Sequence, residues 1–107
     1  MGLDLRTHAV SETVTPAAEN YAKSLEIYDS LLLTKRIVRE IMPSIKALDV
    51  DLARDPEEDG YSTIRLTITT PEPVDRVLEL NAALQGALFE RLPAKPRIYL
   101  SFAYRFA

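Results

Sequence analysis

The sequence contains no cysteine and only three glycines among its 107 residues. Without cysteine sulfur the chain cannot form a disulfide scaffold, a cysteine-ligated zinc site, an iron–sulfur centre or a thiol nucleophile. The glycines stand at positions 2, 60 and 86, too far apart for the glycine-rich loops that cradle nucleotide phosphates. These absences exclude thiol-dependent enzymes and nucleotide-binding proteins of the glycine-loop type.

The sequence also lacks long apolar runs and an excess of positive charge. No apolar run approaches the about 20 residues of a membrane-spanning helix, and the first residues lack the apolar stretch of a signal peptide. We therefore expect a cytoplasmic protein with no membrane partner. The formal net charge is -3, which gives no long-range attraction to phosphate backbones, so we do not expect a nucleic-acid partner.

Apolar residues recur with helical and strand periods along the rest of the chain. Thr15 and Pro16, followed by apolar residues at three- and four-residue steps, predict a helix over 16–42. A second helix is predicted between Thr70 and Pro93. Alternating apolar residues predict strands around 48–52, 64–68 and 97–106.

The first two of these strands should form a hairpin. Matching their apolar faces pairs Leu48, Val50 and Leu52 with Ile68, Leu66 and Ile64. This register places Asp51 directly opposite Arg65 on the outer face of the sheet, where the two charges support the pairing.

The order of elements predicts a single α+β domain over 1–107. It is a two-layer α/β sandwich, with the helices on one face of an antiparallel sheet. Residues 3–10 alternate weakly, so residues 1–14 are either a flexible segment or a first strand. With that strand the order is β-α-β-β-α-β and the fold is ferredoxin-like; without it three strands remain.

No grouping of residues predicts catalysis or a cofactor. His8 is the only histidine, and the acidic residues at 55–59 lack the spacing of a calcium loop. Asp49 and Asp51 share a strand face, but with Arg65 opposite they are better explained by a surface salt bridge. We therefore expect no catalytic residue, no metal, no cofactor and no enzymatic activity.

The preferred functional hypothesis is self-association or binding of another protein. A helix over 16–42 would be about 40 Å long, whereas a globule of this size has a diameter of about 33 Å. A partner, most simply a second copy in a homodimer, would cover the excess. The predicted helix carries apolar residues over more than one stripe, because the cluster at 31–33 adds to Tyr21, Leu25 and Tyr28. The residues expected at the dimer contact are Tyr21, Leu25, Tyr28 and Leu32.

The alternative hypothesis is a ligand- or RNA-binding domain that uses the outer sheet face. The residues expected on that face combine aromatic rings with cations, as sheet-based RNA binders do, and are Tyr61, Arg65, Tyr99 and Arg105. Asp49 and Asp51 share this face and oppose the binding of phosphates.

Overall fold

The computed structural model describes residues 10–54 and 62–107 of the chain. They form a compact α+β fold with helices and one four-stranded sheet. The elements are β1 (Ser11–Val14), α1 (Pro16–Ser24), α2 (Tyr28–Ile41), β2 (Ala47–Arg54), β3 (Ser62–Thr70), α3 (Val74–Arg91), α4 (Ala94–Ile98) and β4 (Leu100–Phe106).

The sheet is mixed, and its strands lie in the order β1-β2-β3-β4. β2 and β3 pair antiparallel as a central hairpin, while β1 runs parallel to β2 and β4 runs parallel to β3. The expected antiparallel sheet and ferredoxin-like order are therefore not observed. Apolar alternation is the same in parallel and antiparallel strands, so the sequence pattern could not reveal strand direction.

The first strand lies at the edge of the sheet because its sequence is polar. Within Ser11–Val14 the only apolar side chain is Val14, opposite Val50 on the core-facing side. An interior position, which the ferredoxin-like order would give it, needs more apolar surface than this. The strand also begins later than the predicted alternation of residues 3–10, of which residues 3–9 lie outside the described part of the chain.

The sheet has two crossover connections, one from β1 to β2 through α1 and α2 and one from β3 to β4 through α3 and α4, and their handedness is opposite. Both step across the sheet in the same direction, but β1 and β2 point opposite to β3 and β4. The helices nevertheless share one face, since α2 packs on α3 and α1, α2 and α3 contribute residues to one core. Because about 98% of such crossovers are right-handed, one of the two connections here has the rare hand.

The single helix predicted over 16–42 is wrong, because the chain breaks between α1 and α2. Leu25 caps α1, and Glu26 adopts a left-handed backbone conformation with φ of 61°. This is the conformation that usually ends a helix one residue past its cap, most often with glycine. As a consequence, residues 10–54 and 62–107 contain no helix of about 40 Å that could protrude from the globule.

Two hydrogen bonds fix this helix end. The Glu26 N–H donates to the Lys23 carbonyl at 3.1 Å, and the Ile27 N–H donates to the Ala22 carbonyl at 2.9 Å. Together they form a Schellman motif, in which the residue after the turn packs on the helix. Ile27 is buried and belongs to the same apolar cluster as Ala22, which agrees with this motif.

The core lies between the helices and one face of the sheet. Five of the six alternating apolar residues of the central hairpin are buried there, as predicted, whereas Leu52 is only partly buried. Leu84 and Leu88 of α3 belong to the same buried cluster, and Val77 is buried as well. The strand predicted over 97–106 would place Ile98 on the same buried face, but Ile98 does not belong to this core. Residues 94–98 form α4 instead of the start of the last strand, which leaves Ile98 63% exposed. The buried hairpin residues are Leu48, Val50, Ile64, Leu66 and Ile68.

Replacing Glu26 by glycine should stabilise the protein. The left-handed conformation costs a residue with a Cβ about 1–2 kcal/mol, part of which the greater chain entropy of glycine offsets. We expect Glu26→Gly to raise the free energy of unfolding by about 0.5–1 kcal/mol in urea titrations. Glu90→Gly, on the exposed surface of α3, should instead lower it by a similar amount. Destabilisation by both variants would contradict the Schellman assignment.

Candidate functional site

The outer face of the sheet carries two acidic and two basic side chains, which form ion pairs and sum to zero net charge. The predicted opposition of Asp51 and Arg65 is confirmed: the Arg65 guanidinium donates to both Asp51 oxygens, at 2.8 and 3.2 Å. Beside them Asp49 accepts a 2.6 Å hydrogen bond from the Thr13 hydroxyl and lies 4.0 Å from Arg105. A phosphate bound here would compete with a carboxylate for each of these cations.

The structure brings together only part of the predicted aromatic and cationic face. Arg65 and Arg105 do lie on it, and Tyr61 lies outside the described residues. Tyr99 packs instead against the core, with its ring edge-on to Tyr21 at a centroid distance of 6.2 Å. Tyr99 precedes β4 and caps α4, so the alternation of the strand does not determine its direction.

The residues of the predicted dimer helix are mostly part of the protein's own core. Tyr21, Leu25 and Tyr28 are partly buried and pack against it. The Tyr21 hydroxyl also donates a 3.2 Å hydrogen bond to the Ser62 carbonyl of β3. Leu32 alone among the four is largely exposed, at 41%. Three of the four predicted contact residues therefore face the protein's own core.

Within the described ranges, no group of three or more histidine, cysteine or acidic residues could hold a metal ion. His8 and the acidic residues at 55–59 lie outside those ranges. No helix of the described residues is long and apolar enough to cross a bilayer.

Of the two edge strands, β1 carries a charge on its core-facing side. Glu12 lies opposite Leu48 and beneath α2, where Arg39 donates to its carboxylate at 2.7 Å and Lys35 lies at 3.2 Å. Burial raises the pKa of Glu12, but the hydrogen bonds from Arg39 and Lys35 outweigh it and hold the pKa below its usual value. An inward-pointing charge on a short strand is a common protection of a sheet edge against unwanted pairing.

The other edge strand, β4, has no such protection. It is seven residues long, and its core-facing side chains are Leu100, Phe102, Tyr104 and Phe106. Its outward edge pairs with no other strand of the described chain. An unpaired edge of this length presents a row of backbone donors and acceptors to solvent or to a partner.

Two hydrogen bonds show which backbone groups point outward. The Ile64 N–H donates to the Tyr99 carbonyl at 2.7 Å, and the Ala107 N–H donates to the Thr70 carbonyl at 2.9 Å. Residues at odd positions therefore direct their backbone groups toward β3. Because these groups alternate along a strand, the even positions of β4 direct theirs away from the sheet.

Helix α3 places a stripe of exposed apolar residues above this edge. The apolar members are Val74, Leu78 and Phe89, which are separated by four and eleven residues and so share one side of the helix. Asn81 on the same side accepts a 2.6 Å hydrogen bond from the Tyr104 hydroxyl of β4. Burial raises the pKa of Tyr104 to about 12, so this hydroxyl keeps its proton at neutral pH.

A groove of about 460 Å³ separates the stripe from the edge strand. Its lining includes Phe89, Ile98, Leu100 and Phe102, and the Arg97 guanidinium lies 4.6 Å from the centre of the Phe89 ring. We call the outward edge of β4 together with the adjoining exposed apolar side chains the β4 surface. Those side chains are Val74, Leu78, Phe89, Ile98 and Phe106.

The β4 surface was not predicted from the sequence, although one signal for it was present. Val74, Leu78 and Phe89 form a second apolar stripe on α3, offset from the buried stripe of Val77 and Leu84. A helix that covers one sheet needs only one such stripe. What the pattern could not supply was the strand order, which puts this side of α3 above an open edge.

Comparison with protein-family models, with curated proteins and with solved structures found no match for this chain. Its function therefore has to be inferred from the geometry of its surfaces.

Glu12→Gln should weaken the fold in a pH-dependent way. A carboxyl group whose pKa is lowered by folding stabilises the native state above its unfolded pKa, and this contribution disappears as the pH falls through the folded pKa. The wild type should therefore exceed Glu12→Gln in free energy of unfolding at pH about 7, and the difference should shrink at pH about 3.

The matched control is Glu40→Gln, which removes a more exposed partner of Arg91. It should change the free energy of unfolding by less than about 1 kcal/mol at neutral pH. A Glu12→Gln effect that stays constant between the two pH values would contradict the ionic role of Glu12.

Proposed function

We propose that this chain is a non-enzymatic module that self-associates through the β4 surface. The observation that carries the proposal is the continuity of an unpaired strand edge with an exposed apolar helix stripe. Either feature alone is common on protein surfaces. Their combination is what a protein-binding site needs, since the apolar part supplies affinity and the strand edge supplies direction.

The distribution of exposed apolar residues supports the proposal. In the described chain, six large hydrophobic side chains are strongly exposed, and five of them lie on the three consecutive elements at one end of the sheet, α3, α4 and β4. Scattered exposed hydrophobic residues are normal on a soluble protein, but clusters of them mark interaction sites. The sixth, Leu32, stands apart on α2.

The difference between the two sheet edges points the same way. At β1 the inward charge of Glu12 discourages pairing, whereas the core-facing side chains of β4 are apolar or aromatic. The backbone groups on the outward edge of β4 can be satisfied by water, and another strand would satisfy them while covering the groove below α3. This edge is therefore suited to form an interface.

Binding of RNA or another anionic ligand on the outer sheet face is the weaker candidate. The cations there already face carboxylates, as the Asp51 contacts of Arg65 illustrate, and Tyr99 is directed to the core. The same ion pairs make Asp49 and Asp51 structural groups in this proposal, without a part in catalysis. RNA binding that weakens with salt and disappears in Arg65→Ala would favour this candidate instead.

Sedimentation equilibrium over a range of concentrations tests self-association. We expect the wild type to be a dimer at a protein concentration of about 100 µM, which requires a Kd below that concentration. Phe89→Glu places a charge in the groove and should weaken the dimer at least about tenfold. Leu32→Glu, an equal change on α2, should leave the mass unchanged. A monomeric wild type, or a larger effect of Leu32→Glu than of Phe89→Glu, would overturn the proposal.

A further inference from the structure

We infer that the partner at the β4 edge is a second copy of this chain, paired antiparallel about a two-fold axis through Ala103. The two sheets then form one continuous sheet of eight strands. This inference rests on the proposed self-association and specifies its geometry, which self-association alone does not determine.

The backbone of β4 favours this register. Ala103 is the midpoint of Leu100–Phe106, so a two-fold axis there aligns the strands over their full length. Leu100 then lies opposite Phe106 of the second copy, and Phe102 lies opposite its Tyr104. These are the even positions, whose N–H and C=O groups point outward, so each outward group of the strand meets a partner.

The side chains are also compatible with this register. On the core-facing side every cross-strand pair joins apolar or aromatic residues, which are favourable pairs in antiparallel sheets. On the outer side Ser101 lies opposite Arg105 of the second copy, so no like charges meet. Ala103 lies opposite itself, where its small side chain suits the close approach of a pair that exchanges no backbone hydrogen bond. An axis through Arg105 would instead bring two guanidinium groups together.

Residues that flank the strand favour a second copy over an unrelated extended peptide. α3 runs antiparallel to β4, because Asn81 reaches Tyr104 while Phe89 lies beside the start of the strand. Leu78 of one copy therefore lies on the same side as Phe89 of the other. The interface places two parts of the same apolar stripe together, as an isologous contact requires.

The charges at the two ends of the surface are also complementary. Beside the start of β4, residues 94–99 carry Lys95 and Arg97 and no acidic residue. Beside its end, the first turn of α3 carries Asp75. A two-fold axis between these ends brings the basic end of each copy to the acidic end of the other. Opposite charges at both flanks favour the antiparallel dimer and oppose a parallel one.

Single cysteine substitutions test the register directly, because the natural chain has no cysteine. Across the axis the two Ala103 Cα atoms would lie about 4.5 Å apart, within the range that a disulfide bridges. The two Ser101 Cα atoms would lie about 14 Å apart and could not be bridged. Under diamide, Ala103→Cys should form a disulfide-linked dimer at least about tenfold faster than Ser101→Cys.

A mixture of two cysteine variants tests the same strand register independently. Ser101→Cys and Arg105→Cys lie opposite each other in this register, so the mixture should form the crossed dimer faster than either variant links to itself. This arm does not depend on Ala103→Cys, should that variant fail to fold. The thermal melt of each reduced variant should match that of the wild type.

The possible outcomes separate this inference from the proposed function. Fast linkage of Ala103→Cys or of the mixture, with slow linkage of Ser101→Cys alone, supports the register. If the wild type is a dimer that Phe89→Glu weakens, but neither Ala103→Cys nor the mixture links faster than Ser101→Cys, the register is overturned and self-association stands. A wild type that is monomeric in sedimentation overturns both.

Discussion

The antiparallel pairing of β2 with β3 is the constraint on which the rest of this structure depends. Its register places Asp51 against Arg65 on one face and aligns Val50 with Leu66 on the other. A slip by one residue would turn every buried side chain of one strand toward solvent. The exposed ion pair itself contributes little, because solvent screens it, so the apolar alternation enforces the register and the charges agree with it.

The flanking strands then follow from their own composition. β1 is short and polar, and it lies beside β2 with Glu12 held by two cations of α2. β4 is longer and more apolar, yet it too occupies an edge, so Leu100 and Phe102 are only partly buried. The sheet therefore has one protected edge and one open edge. This asymmetry supports an interface at β4.

The hairpin and α3 could be predicted from the sequence because strict alternation and helical spacing are local signals. The break between α1 and α2 could not, since Glu26 occupies a position where glycine is the usual signal. The place of Tyr99 could not be predicted either, because α4 replaces the expected start of the last strand. Strand order depends on which edges meet after folding, so the β4 surface is visible only in three dimensions.

Residue-resolved amide hydrogen exchange at low and high protein concentration tests the central claim most directly. The amides of Ser101, Ala103 and Arg105 point to β3 and should be protected at both concentrations. Those of Phe102 and Tyr104 point outward, so their exchange should slow by at least about tenfold as the dimer forms. If Phe102 and Tyr104 exchange equally fast at both concentrations while the mass becomes dimeric, the open edge of β4 is not the interface.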